Sequence, residues 1–166
     1  ITKPAELEEF VDIAISKGRC VYDLETTSLN TRRDADGNSC AKIVGVCLSH
    51  DPDEGVYVPV AHEDAQEFNV SISVVLRETA RLLANCVLIF HHFKYDGQVL
   101  RNYGIIIDRD DQYEDTYLMA AIQDASRKEK GLKYLSGALL DRPQLEIDDL
   151  GIQGTKKNIV AFNMVP

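Results

Sequence analysis

Between Pro4 and Gly18, apolar residues recur at Leu7, Phe10, Val11 and Ala14, with i, i+3, i+4, i+7 spacing. This predicts an amphipathic helix with proline in its first turn and a glycine stop. Cys20-Val21-Tyr22 is a β-prone run leading directly into Asp23-Leu24-Glu25, and residues 30–41 form a polar turn. Ile43 to Leu48 and Val56 to Val60 are the next two strands. The Asp51-Pro52-Asp53-Glu54-Gly55 connection is turn chemistry, so they are expected to pair as a hairpin. Val74, Val75, Thr79, Leu82 and Leu83 mark a second helix. Val87 to Phe90 is a continuous apolar run, the pattern of a strand buried on both faces. Residues 95–103, 115–125 and 131–140 read as three more helices. A helix, three strands with a hairpin, then strand–helix alternation predicts an α/β domain with a mixed sheet covered by helices. There is no internal repeat and no low-complexity segment.

The chain has 166 residues, 45% of them hydrophobic, enough for one self-sufficient core but not for two complete domains. No apolar run approaches the ~18 residues of a membrane span, and no signal peptide is expected. Cys20, Cys40, Cys47 and Cys86 lack CxxC spacing and read as reduced thiols, which fits a cytoplasmic setting, bacterial or viral. The net charge of -9 argues on its face against a nucleic-acid binder, because phosphate contacts need Lys and Arg. Arg127, Lys128, Lys130 and Lys133 nevertheless form a local basic cluster. The chain begins at Ile1 and ends at Pro166 just after an apolar stretch, and is expected to be a piece of something longer.

Asp-x-Glu and Asp-x-Asp pairs are weak signals alone. Asp34-Ala-Asp36, Asp51-Pro-Asp53 and Asp108-Arg-Asp110 all fall in turn-like polar stretches. Only Asp23-Leu24-Glu25 sits on a predicted strand, where alternation places Asp23 and Glu25 on one side. Two carboxylates held ~4 Å apart repel by ~4 kcal/mol at an effective dielectric near 20, a cost that a bound cation offsets. An edge strand with a solvated acidic face satisfies the same spacing. Asp96, in His91-His92-Phe93-Lys94-Tyr95-Asp96, follows the apolar strand and opens a helix. Taken by itself, it is better explained as a simple cap of that helix. Adjacent strand residues point to opposite faces, so His91 and His92 are not expected to share one metal. The Gly151 to Lys157 stretch lacks P-loop spacing, and no GxSxG, HExxH or zinc spacing occurs.

Together these pieces resemble the 3′–5′ proofreading exonuclease domain of family A, polymerase I-like DNA polymerases, within the DEDD exonuclease superfamily. The carrying blocks are Val21-Tyr22-Asp23-Leu24-Glu25-Thr26-Thr27-Ser28-Leu29, Val56-Tyr57-Val58-Pro59-Val60-Ala61-His62, Phe93-Lys94-Tyr95-Asp96, Asn102-Tyr103-Gly104-Ile105 and Glu114-Asp115-Thr116. The resemblance implies a ribonuclease H-like fold and two-metal phosphodiester hydrolysis. By that analogy Asp23, Glu25 and Asp96 hold two Mg²⁺ ions, with Mn²⁺ a substitute. Thr26 would hold the terminal 3′ hydroxyl, Leu29 would wedge against the terminal bases, and Tyr95 and Ile147 would flank the frayed end. His92 stands where the family usually has Asn. The implied partners are a single-stranded DNA 3′ end and a polymerase domain in the same parent chain.

The family's third motif, a Tyr or His followed four residues later by the fourth Asp, is absent. No Tyr-x-x-x-Asp occurs downstream of Asp115, so the single domain spanning 1–166 is expected to be truncated at its C-terminus. Two other functions share these motifs: an RNase D-like or helicase-associated exonuclease, and an inactive exonuclease-like structural module. The charge of -9 then reads differently, because two divalent cations at the acidic face would turn it toward phosphate.

Overall fold

The computed structural model describes residues 1–142. The N-terminal apolar stripe forms helix α1 (Pro4–Lys17), which starts on its proline and stops at Gly18. Gly18 adopts φ 75°, a left-handed turn that only glycine takes without strain, and its N–H reaches back to the Ala14 and Ile15 carbonyls. The chain then enters strand β1 (Arg19–Thr26), where Cys20, Tyr22 and Leu24 are buried and Asp23 faces the other way. β2 (Ile43–Asp51) and β3 (Glu54–Pro59) form the expected hairpin. A short 3₁₀ turn (Gln66–Phe68) leads to α2 (Ile72–Asn85), β4 (Val87–Phe90) and α3 (Phe93–Asn102). β5 (Tyr113–Asp115), α4 (Thr116–Gln123) and α5 (Leu132–Leu140) complete the described residues.

The five strands lie in the order β3-β2-β1-β4-β5. The first three are antiparallel, and β4 and β5 run parallel to β1. β1 is therefore central, and its C-terminal half runs on to Thr26 past the end of β4. α1 and α2 cover one face, burying Leu7, Val11, Val75 and Leu82 against Tyr22, Leu48, Leu88 and Phe90. Glu78 of α2 is buried yet paired, bonded to Arg77 and Arg81, which also reach Glu8 and Asp12 of α1.

Two sequence expectations change. β4 is not buried on both faces: Leu88 and Phe90 are buried while Val87 and Ile89 are only half-covered. The four-residue apolar run hid an alternation because all its residues are apolar. β5 has no hydrophobic pattern of its own and was not expected; three residues, Tyr113-Glu114-Asp115, pair with Leu88-Ile89-Phe90.

α3 contains Gly97, and a Cβ added there would meet the Phe93 ring at 2.6 Å. That ring is stacked on Tyr113 at 3.9 Å and tilted against Phe90 at 5.1 Å, so it has little room to yield. Gly→Ala inside a helix ordinarily stabilises by about 0.5–1 kcal/mol. For Gly97→Ala we expect the opposite sign, a loss of about 1–3 kcal/mol in urea unfolding. An unchanged or raised midpoint would show that the ring yields freely.

Candidate active site

Alternation along β1 does what the spacing required. Asp23 and Glu25 share a face, and their carboxylate oxygens and the Cys47 Sγ lie within 4.8 Å of one another. Cys47 arrives from β2, directly across from Asp23 in the antiparallel register, with Tyr57 of β3 beyond it. Across from Glu25 stands Gly45. The Tyr57 side chain leans over that glycine, its hydroxyl 1.9 Å from where a Cβ would be. It is held there by a 2.6 Å hydrogen bond to Nε2 of His62.

Asp96 joins the pair from α3. It is buried, 3% exposed, and its Oδ1 accepts the Leu24 N–H at 3.2 Å, the peptide between Asp23 and Glu25. The cap reading of Asp96 is therefore corrected: its carboxylate reaches across to β1, and the N-cap residue of α3, His92, makes no side-chain cap bond. That work falls to Asp115 at the end of β5, which accepts the N–H groups of His92 and Phe93, each at 3.0 Å.

The loop after β1 is tied to the same helix. Tyr95 donates its hydroxyl to the Ser28 carbonyl at 2.7 Å and bonds the Thr26 Oγ1, while Leu29 projects from that loop 85% exposed. His91 and His92 lie in the turn beyond β4, not on the strand, so alternation does not govern them. His91 bonds Thr116 Oγ1 through Nδ1 at 2.9 Å, and exposed His92 stacks on Tyr117 at 5.0 Å. In the basic cluster, Arg127 faces Asp124 and Lys130 Nζ donates to the Arg127 carbonyl. Ile147 lies outside the described residues.

Carboxylates crowded together and drawn out of water hold their protons. Burial first, then the Asp23 charge, pushes Glu25 up to about 7. The same two causes push Asp96 up to about 7, against the Leu24 N–H, which lowers it. Asp23 is also raised by burial, with His91 opposing. Such a set gains most from a hard cation that replaces the protons. Burial and the two carboxylates push the Cys47 thiol up to about 12, so it stays neutral and the available donors are oxygens, which suits Mg²⁺ or Mn²⁺.

These shifts carry a testable sign. Glu25 and Asp96 bind protons more tightly folded than unfolded, so their stabilising effect is complete below their ordinary values of 4.5 and 3.8. It is lost as pH rises through about 7. Metal-free protein is expected to lose melting temperature between pH 5 and 7.5, on the order of a few kcal/mol of stability. Asp96→Asn should flatten that slope in parallel thermal scans; an identical slope would remove Asp96 from the cluster's titration.

A five-stranded mixed sheet flanked by helices, with acidic residues gathered on its central strand, defines the ribonuclease H-like exonuclease fold. Residues 1–162 match the family model for the 3′–5′ exonuclease, and the chain belongs to that family. It is 25% identical over 152 residues to DNA polymerase I of Borreliella burgdorferi, covering 90% of this chain and 15% of that one. Among solved structures, Brucella melitensis NrnC with bound Mg²⁺ superposes with a TM-score of 0.57 at 18% identity, covering 84% of this chain and 62% of that one. The same protein has been seen bound to pGG. Escherichia coli RNase D, an exoribonuclease involved in structured RNA processing, superposes with a TM-score of 0.61 at 14% identity, over 95% of this chain and 38% of that one.

Sequence reasoning found Asp23, Glu25 and Asp96 and missed Cys47, His91 and Asp115 as their neighbours. Cys47 reaches Asp23 through the β1–β2 register, which no short stretch of the chain announces, and Asp115 was visible only as one letter of a motif block.

Proposed function

We propose that this chain is the proofreading domain of a polymerase I-like DNA polymerase, removing nucleotides from a single-stranded DNA 3′ end. The observation that carries the reading is an acidic pair on β1 with a third carboxylate tied to the same strand. Asp23 and Glu25 stand side by side on β1, and buried Asp96 is tethered to the peptide between them. Asp23, Glu25 and Asp96 would hold two Mg²⁺ ions, and bound divalent cations supply a hydroxide at neutral pH and offset charge on the leaving oxygen. In the reaction a water oxygen bonds to the terminal phosphorus, the P–O3′ bond breaks, and the shortened strand leaves with a 3′ hydroxyl.

The residues around the acidic set have work of their own. Thr26, fixed by Tyr95, lies where β1 ends and would receive the terminal 3′ hydroxyl. Leu29, exposed to 85%, would press against the last base, and Tyr95 would stiffen the loop that presents it. His92 and Ile147 would flank the frayed end. With little basic surface near the site, a short single strand is held mainly by stacking and cation. The parent chain would carry a polymerase domain, which the polymerase I relative supports, and would act in the cytoplasm. Among the described residues no helix is long and apolar enough to cross a membrane.

RNase D in the same fold favours a second reading, an exonuclease on RNA. The test is release of 3′-terminal nucleotide from labelled single-stranded DNA and RNA of one sequence, with Mg²⁺ or Mn²⁺, using a chain extended past residue 166. Faster DNA cleavage, by ten-fold or more, is the expected result. RNA preference would transfer the assignment to the RNase D-like class, and no cleavage of either would make the domain structural.

A further inference from the structure

We propose that Asp115 is a positioning residue of this site: its carboxylate sets the start of α3 and thereby the place of Asp96 against β1. The inference rests on the metal-nuclease reading above.

Asp115 is 7% exposed and its carboxylate accepts four backbone N–H groups. Two are local: Tyr117 at 2.9 Å and Leu118 at 3.3 Å, the ordinary N-cap of α4. The other two are not. Oδ1 accepts His92 and Oδ2 accepts Phe93, more than twenty residues earlier in the chain, at the first turn of α3. Those are the groups that a helix start leaves without partners, and α3 has no side-chain cap of its own. His92 also carries φ 70°, a left-handed conformation unfavourable for a side chain with a Cβ. A conformation of that kind persists where its surroundings fix it, and here the fixing group is Asp115.

From that junction the connection to the acidic set is short. Phe93 opens the helix turn that carries Asp96, and Asp96 closes onto Leu24 N–H. The strand pairing holds the other end: Asp115 sits across from Phe90, and Thr116 Oγ1 donates to the Phe90 carbonyl at 3.0 Å. Oδ1 takes His92 of α3 together with Tyr117 and Leu118 of α4, and Oδ2 is left for Phe93, the first residue of α3. Asn offers one acceptor and would turn an NH₂ toward one of these donors. Ser caps α4 locally but is too short to reach α3.

The experiment uses the intact chain and Mn²⁺ as probe, followed by electron paramagnetic resonance titration. Asp115→Ser, Asp115→Asn, Asp23→Asn and a distant core variant, Leu82→Ala, are compared with wild type, each under conditions where circular dichroism reports a folded protein. Loss of a supporting group around metal ligands typically weakens metal binding by 10- to 100-fold. We expect about a 10-fold or greater rise in half-saturating Mn²⁺ for Asp115→Ser and a smaller rise, about 3-fold, for Asp115→Asn. Leu82→Ala should melt lower yet bind Mn²⁺ as wild type does. Affinity within two-fold of wild type in both Asp115 variants overturns the positioning role. If Asp115→Ser does not fold, Asp115→Asn decides alone. Wild type that binds Mn²⁺ no better than Asp23→Asn overturns the metal reading itself, a result distinct from either Asp115 outcome.

Discussion

Asp23→Asn is expected to lower 3′-nucleotide release by about a thousand-fold or more while raising the melting temperature of the metal-free protein. The two effects have one cause. Asp23 stands within 4.8 Å of Glu25 and contributes to the raised proton affinity of both Glu25 and Asp96. Replacing it by a neutral amide of the same shape removes that repulsion, and the two remaining carboxylates ionise more readily. The same replacement would remove one of the three carboxylates proposed to hold the cations. Activity is read on a labelled single-stranded end with the extended chain, and stability by thermal unfolding in chelator. A variant that stays active would dismiss Asp23 from catalysis. One that loses activity without gaining stability would show that the carboxylates are not electrostatically strained.

Phe90→Ala is expected to cost about 3–5 kcal/mol, which for a domain of this size lowers the melting temperature by about 10 °C or more. Phe90 is 1% exposed, tilted against Tyr22 at 5.6 Å and against Phe93 at 5.1 Å, with the Tyr113 ring at its edge. It ends β4 at the place where β1, α3 and β5 converge, so its removal empties the space beneath the site as well as destabilising the core. Nuclease activity at low temperature should fall with it, although Phe90 carries no titratable group. A loss near 1 kcal/mol in chemical denaturation would mean the neighbouring rings collapse into the gap.

Elements with a strong period were legible in the chain. The stripe Leu7, Phe10, Val11, Ala14 and the Gly18 stop became α1, and the turn residues between Leu48 and Val56 became the hairpin. The acidic pair was legible too, because two-residue alternation is a local property of any strand. β5 was not: Tyr113-Glu114-Asp115 is too short and too polar to announce a strand, and it exists because β4 offers an open parallel edge. The placement of Asp96 was half legible, its helix predicted but its partner mistaken. A carboxylate in a first helical turn looks like a cap, and only the fold shows that its oxygen faces Leu24 rather than its own helix.

The sequence by itself therefore determined the α/β class, the five motif blocks, and the sharing of one face by Asp23 and Glu25. These follow from spacing along a few consecutive residues, which local backbone geometry converts directly into position. Tertiary structure alone decided which distant groups meet them: Cys47 on β2 opposite Asp23, Asp96 on the Leu24 peptide, and Asp115 beneath two helix starts. Those contacts depend on strand order and register, which are set by the burial of the whole apolar surface at once and leave no mark in any short stretch of the chain.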